Sequence, residues 1–170
     1  MATAFLTRIR NTLVNYIQSA TTVLGYFYNY PSANERDLAK LTLTTANAAC
    51  WFEFGQEETI VNGADNTAYS NYFPLIIHSV VSTGEVTDPF ESYKICCDQM
   101  LEDFKKLFGN NFALSATGIL FWNEISNIEY EHSFIDWKVQ KDALTPAVLV
   151  SQWKITYHQL RSNPNTIAAI

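Results

Sequence analysis

The sequence predicts an α+β fold, with helices and strands in separate stretches of one chain. Three patterns predict this class: an apolar stripe at helical spacing over residues 2–20, a capped amphipathic segment over residues 88–108, and strand-like alternation from Val150 onward. With 170 residues and 48% hydrophobic content, the chain is long enough to bury one core. We therefore predict a single domain over residues 1–170.

The first predicted helix covers residues 2–20. Its apolar residues recur every three or four positions and therefore share one face. They are Phe5, Leu6, Ile9, Leu13, Tyr16, Ile17 and Ala20. The aromatic run at residues 26–30 predicts a short strand or a packed loop, and residues 32–47 carry no clear pattern.

Two strands are predicted in the first half of the chain. Residues 48–54 form the first, which Gly55 ends, and residues 73–81 are apolar on both faces, as in a central strand covered on both sides. Pro74 fits such a strand only near its start. Between the two strands, residues 57–70 predict an exposed hairpin or long loop that projects from the domain, because Asn62-Gly63 is a strong turn signal.

The second predicted helix has signals at both ends. Asp88 is a candidate N-cap, Pro89 suits the first helical position, Glu91 stands where a capping box places its acid, and Gly109 follows as a stop. One face, about 120° wide, is apolar. It comprises Phe90, Tyr93, Cys97, Met100, Leu101, Phe104, Leu107 and Phe108.

The adjacent Cys96 and Cys97 are predicted to be core residues of this helix, since Cys97 lies at the centre of the apolar face. A zinc site needs further ligands at suitable spacing, and a redox pair favours C-x-x-C at a helix start. With Cys50 the cysteines are odd in number, which predicts reduced thiols and a cytosolic setting. No metal or cofactor is predicted. Ile95 points away from the apolar face and suggests a contact with a neighbouring subunit.

The rest of the chain predicts strands at 112–122, 128–131, 134–139 and from Val150 onward, with a hairpin through residues 141–147. The last strand alternates best: Trp153, Ile155 and Tyr157 share one face, and Gln152, Lys154, Thr156 and His158 share the other. Residues 161–170 are predicted to be a flexible or partner-bound tail.

Charge and hydropathy argue against two classes of partner. The net charge is −6 and the eleven Lys and Arg residues are scattered, so sequence-specific nucleic-acid binding is not expected. No apolar run approaches the ~18 residues of a membrane span, and no targeting segment is expected. An acidic chain could still lie near DNA, because repulsion would keep the DNA from adhering to it.

No catalytic motif is present in the sequence, and no enzymatic activity is expected. The three histidines, His78, His132 and His158, are isolated, and the side chains of His78 and Ser79 point to opposite faces of a strand. The carboxylates Glu129 and Glu131, with Asp136 nearby, could perform acid–base work on a sugar if they lay in a cleft. A small carboxylate-dependent hydrolase is thus an alternative, although a solvated strand face explains the same residues more simply.

The order of elements resembles that of bacteriophage tail terminator proteins. The residues that carry the resemblance are the stripe from Phe5 to Ala20, the strand at 73–81 leading into DPFESYKICCDQMLEDF, and the closing strand WKITY. The resemblance implies a mixed, mostly antiparallel sheet flanked by the two amphipathic helices. It also implies a homo-hexameric ring on the tail tube, in the virion, after synthesis in the host cytoplasm.

If the resemblance holds, the partners are further copies of the chain, the tail tube protein and the neck or head connector proteins. Another neck or head-completion protein is the alternative in the same setting. The predicted interface residues are Ile95, Tyr69, Tyr72, Trp137 and Trp153. The predicted residues facing the lumen or a partner are Glu57, Glu58 and Asp65.

Overall fold

The computed structural model describes residues 5–21, 25–62, 68–109, 125, 127–160 and 163–167. They form a single α+β domain with two helices and a mixed sheet, which confirms the predicted fold class. The helices are α1 (Phe5–Ala20) and α2 (Pro89–Leu107). The strands are β1 (Asn29–Ala33), β2 (Asn47–Phe54), β3 (Glu58–Asn62), β4 (Ala68–Val80), β5 (Asn127–Asp136), β6 (Val148–Leu160) and β7 (Asn163–Ile167).

The sheet is built around its two longest strands, β4 and β6, which pair with each other along almost their whole length. The order across the sheet is β1-β2-β4-β6-β5, with β3 beside β4 and β7 beside β6. All pairs are antiparallel except β1 with β2. Strands β2 and β3 occupy successive parts of one edge of β4. The described part of residues 57–70 therefore forms a hairpin with the start of β4, and residues 63–67 lie outside the described ranges.

The parallel pairing of β1 and β2 explains residues 34–46, which carried no readable pattern. Two adjacent parallel strands require a crossover connection, and this one crosses the sheet face opposite the helices. It contains a short 3₁₀ helix at Leu38–Lys40. Leu41 is buried against that face, and Leu38 and Leu43 are partly buried beside it. The crossover packs in one cluster with Ala49, Trp51, Val80, Val148 and Val150. Beyond this cluster the same face has exposed residues, among them Glu53, His132 and Phe134.

Both helices pack on the other face of the sheet. From α1, the stripe residues Ile9, Leu13, Tyr16 and Ile17 are buried, and the Tyr16 hydroxyl donates a hydrogen bond to the Leu107 carbonyl at 3.1 Å. Burying each such side chain stabilises the fold by about 1.5–3 kcal/mol. The buried residues of α2 are Tyr93, Cys97, Met100, Asp103, Phe104 and Leu107.

The start of α2 agrees with the sequence pattern in part. Asp88 is the N-cap, and its side chain accepts hydrogen bonds from the backbone nitrogens of Phe90 and Glu91, both at 3.1 Å. The capping-box role predicted for Glu91 is wrong, because its carboxylate pairs with Lys94 at 2.6 Å instead. Phe90 is 53% exposed, so the apolar face of the helix is buried only from Tyr93 onward.

Asp103 is the buried acid of α2 and was not expected in the core. Its carboxylate accepts hydrogen bonds from the backbone nitrogens of Phe27 and Tyr28, at 2.8 and 3.0 Å. The Tyr30 hydroxyl donates a longer bond, at 3.4 Å. Asp103 thus holds the segment that leads into β1 against the helix.

Pro74 lies in the middle of β4, and its predicted place near the strand start is wrong. The Pro74 carbonyl accepts a hydrogen bond from Gly55 at 2.8 Å, which shows that this residue faces the β2 edge. Pairing of β2 with β4 ends at Leu75, so the missing N–H of proline falls at the junction between β2 and β3. A side chain at Gly55 would collide with the proline ring.

The last third of the chain corrects two predictions. The strands expected at 128–131 and 134–139 are one strand, β5, with an irregularity between Tyr130 and His132. The tail at 161–170, predicted to be flexible, contains β7, which pairs with β6 at Gln159 and Leu160. Pairing of β5 with β6 ends at Thr156, so the last residues of β6 pair with β7 on that side. The strand predicted at 112–122 lies outside the described residues.

Candidate functional site

The candidate site lies on the sheet face opposite the helices, beside the crossover. Strand register places Glu53, Ile76, Gln152 and His132 side by side in one row across β2, β4, β6 and β5. The neighbouring row consists of Trp51, His78, Val150 and Phe134. Directly paired residues of antiparallel strands share a face, so both rows project to the same side. We call this surface the open face.

A cavity of about 260 Å³ lies on the open face. Its apolar walls come from Ile76, Phe134 and Val150, and Phe134 is 55% exposed. Its polar lining comes from Glu53, His78, His132, Asp136 and Gln152. The residues that line this cavity include two carboxylates and two imidazoles but no lysine or arginine.

His78 is the most constrained polar group of the cavity. Its ring stacks on the Trp51 indole, with ring centroids 5.0 Å apart and planes only 3° from parallel. Its Nε2 lies 3.4 Å from Oε2 of Glu53. The alignment is not that of a hydrogen bond, and the buried Nε2 has no hydrogen-bond partner. A polar atom in this state can accept or donate one bond to a group that enters the cavity.

The predicted carboxylates of β5 lie on or beside the open face, but each has its own local partner. Glu129 accepts a hydrogen bond from Asn127 at 2.8 Å, and Glu131 accepts one from Gln152 at 2.7 Å. Asp136 accepts one from the Lys138 backbone at 3.0 Å. Asp136 lines the cavity described above, whereas Glu131 lines a separate, smaller cavity of about 190 Å³ beside it. This arrangement gives no specific support to a hydrolase.

Among the described residues, no group of three or more His, Cys, Asp or Glu side chains is placed to hold a metal ion. Cys97 is 2% exposed, and burial raises the pKa of its thiol to about 12. The Cys50 thiol is fully buried, and burial raises its pKa further. These two cysteines therefore act as core residues.

The predicted interface residues fall into different environments. Ile95 is 61% exposed, as expected for a contact residue. Tyr72 is half-buried, and its hydroxyl bonds to Glu58. Trp137 packs on the edge of the core, where its ring contacts Phe90 and Tyr93.

Trp153 is wrong as an interface residue, because it is only 2% exposed. It packs against Phe108 and Tyr130 in the core. The side chain of Tyr69 lies outside the described structure.

Two of the three acidic residues predicted to face a lumen or partner accept hydrogen bonds within the chain. Glu57 accepts a hydrogen bond from the Tyr157 hydroxyl, and partial burial raises the pKa of its carboxyl. Glu58 accepts one from Tyr72. Asp65 lies outside the described residues.

A larger cleft, of about 450 Å³, adjoins the open face at the edge of β2. The Arg36 side chain donates a hydrogen bond to the Phe52 carbonyl at 2.9 Å and lies 3.9 Å from Glu53. The Arg10 guanidinium lies 4.8 Å from the centre of the Phe54 ring. Both arginines therefore have partners within the chain. They cover the edge of β2 at Phe52 and Phe54, after the pairing with β1 has ended at Cys50.

The cavity was not predicted from the sequence. Alternation along each strand shows which residues share a face with their neighbours, but the register between strands brings Glu53, His78, His132 and Gln152 together. Three of its lining residues, His78, His132 and Asp136, stand out singly in the sequence, but no local pattern joins them.

The fold and site define a single α+β domain with one open sheet face and a mixed acidic and aromatic cavity. A comparison with models of known protein families gives no match, and a comparison with curated protein sequences gives none. No helix in the described part of the chain is long and apolar enough to cross a membrane.

Proposed function

We propose that this chain is a structural virion protein of the tail terminator type. It caps the end of a phage tail tube as a homo-hexameric ring and joins the tube to the head or neck. It functions by binding further copies of itself, the tube protein and connector proteins through surfaces of complementary shape. It catalyses no reaction.

The observation that carries this proposal is the distribution of large exposed apolar side chains. Phe27, Phe90, Ile95 and Phe134 are each more than half exposed. They lie before β1, on α2 and on β5. Phe134 lies on the open face, whereas α2 packs on the opposite face of the sheet, so these residues belong to at least two separate surfaces. A ring subunit needs separate contacts for its two neighbours and for its axial partners, and exposed apolar residues are typical of such contacts.

Two further features support the same assignment. The chain runs from an amphipathic helix through strands and a capped helix to closing strands, which is the order that motivated the resemblance. The charge of −6 suits a subunit that surrounds DNA without adhering to it.

Deletion of the gene in the phage that encodes it tests this function. Electron microscopy of the lysate should show full heads without tails and tails of variable, abnormal length, because a tube of identical rings has no intrinsic end. A plasmid copy of the wild-type gene should restore normal particles. Tails of normal length attached to heads would contradict the proposal, and unattached tails of normal length would assign the protein to the neck.

The ring is tested separately by the copy number in purified particles. Quantitative mass spectrometry against the tube protein should give six copies per tail. One copy per particle would contradict the closed ring.

A further inference from the structure

We propose that the cavity on the open face binds the side chain of an arginine presented by another protein. Arginine binding by the isolated chain does not require the virion assignment to be right. Size, charge and the exposed aromatic surface of the cavity each favour this occupant.

The cavity has the size and lining for one long side chain. Its volume is about 260 Å³, and Ile76, Val150 and Phe134 form apolar walls against which a methylene stem can pack. It is open at the surface, since more than half of Phe134 is accessible. A side chain can therefore enter without movement of the strands.

The charges of the cavity are complementary to a cation. Glu53 and Asp136 are the two carboxylate residues of its lining, and neither is buried. Among the described residues, the Arg36 guanidinium lies 3.9 Å from Glu53 on the side of the neighbouring cleft, and both partners are about half exposed or more. A surface pair of this kind is weak and leaves most of the negative potential in place.

The aromatic groups favour arginine over lysine. A planar guanidinium can stack on the exposed Phe134 ring while it donates hydrogen bonds in the same plane, whereas an ammonium cannot do both. The exposed Glu53 carboxylate is an acceptor for such a fork, and the unpartnered Nε2 of His78 lies 3.4 Å from it.

The arginine is expected to come from a different protein. Arg10 is engaged with the Phe54 ring, Arg36 with the Phe52 carbonyl, and Arg8 also has an interaction within its own chain. A described arginine of a second copy would therefore have to give up or share a contact within its own chain to enter the cavity, whereas an arginine of a different protein need not.

Titration of the full chain with N-acetyl-arginine amide, followed by NMR, tests the site. The ring signals of His78, His132 and Trp51 should shift saturably. The citrulline analogue replaces the guanidinium by a neutral urea group of similar shape. Its apparent affinity should be at least about tenfold lower, because the charged hydrogen bonds are lost. The lysine analogue should bind more weakly than the arginine probe.

Matched variants assign the effect to the two carboxylates. Glu53→Gln together with Asp136→Asn should weaken arginine binding by roughly tenfold or more. Glu85→Gln, which removes an exposed acid away from the cavity, should leave the binding unchanged. Glu53 and Glu85 are exposed, and Asp136→Asn keeps an oxygen that can accept the Lys138 hydrogen bond, so circular dichroism should show the wild-type fold in each variant.

Three results would overturn the proposal. They are equal shifts with the citrulline probe, full affinity in the double variant, and no saturable shift with the arginine probe at tens of millimolar. Self-association of the wild type that the double variant loses would assign the cavity to a second copy and reject a different protein as the partner.

Discussion

The Asp103 carboxylate accepts a hydrogen bond from the backbone nitrogen of Tyr28 at 3.0 Å, across 75 residues of sequence. Asp103 is 1% exposed and Tyr28 is 5% exposed, so the bond lies within the core. A second bond, from Phe27 at 2.8 Å, completes the attachment of this segment to α2. The start of the sheet is therefore tied to the second helix through one acid.

Replacing Asp103 with alanine should lower the free energy of unfolding by about 2–4 kcal/mol. The reason is that the N–H groups of Phe27 and Tyr28 lose their acceptor, one of them in a buried position. Urea unfolding measures the change. Asp98→Ala, at an exposed site on the same helix, should change stability by less than about 0.5 kcal/mol. Equal stability of the two variants would show that the Asp103 bonds contribute little.

The contribution of Asp103 should depend on pH with a definite sign. Burial raises the pKa of its carboxyl, and the bonds from Phe27 and Tyr28 oppose this only in part. The folded protein therefore holds the proton to a higher pH than the unfolded chain, whose Asp pKa is about 3.9. The stability difference between wild type and Asp103→Ala should fall as pH rises from about 4 through the raised pKa. A difference that grows over that range would mean that the pKa is lowered instead.

The three thiols should differ in reactivity. Cys50 and Cys97 are buried with raised pKa values, whereas Cys96 is partly exposed at the margin of the core. Because the thiolate is the reactive form, an aromatic disulfide reagent should label about one thiol per folded chain and three after unfolding. Cys96→Ala should remove the native labelling. Rapid labelling that persists in this variant would contradict the burial of Cys97.

Replacing Cys97 with aspartate should destabilise the fold by several kcal/mol, because no basic group lies nearby among the described core residues to pair with a buried carboxylate. The same change at Cys96, at the margin of the core, should cost less. Thermal unfolding of both variants provides the comparison. A Cys97→Asp variant as stable as the Cys96→Asp variant would contradict the core assignment.

Ile95→Lys should leave stability within about 0.5 kcal/mol of the wild type, because the side chain is 61% exposed. If Ile95 contacts a neighbouring subunit, this variant should fail to restore attached tails to a phage that lacks the gene. Glu85→Lys, which places a lysine at another exposed position, should restore them. Full restoration by Ile95→Lys would remove this residue from the proposed interface.

Local signals in the sequence determined where the helices lie and which side chains of each strand share a face. Asp88 and Pro89 mark the start of α2, because capping depends on groups within one turn. The placement of Cys97 in the core and the alternation of Ile155 and Tyr157 in β6 also follow from the period of each element. These features need no knowledge of distant residues.

Tertiary structure alone decided which residues meet. Trp153 and Ile95 were both predicted to be contact residues, but Trp153 is buried against Phe108 and Tyr130 and Ile95 is exposed, because packing between elements sets burial. Asp103 is buried only because the segment before β1 brings two N–H groups to it. The open-face cavity joins Glu53 to His132 through the register of four strands, and register depends on pairing between residues far apart in the chain.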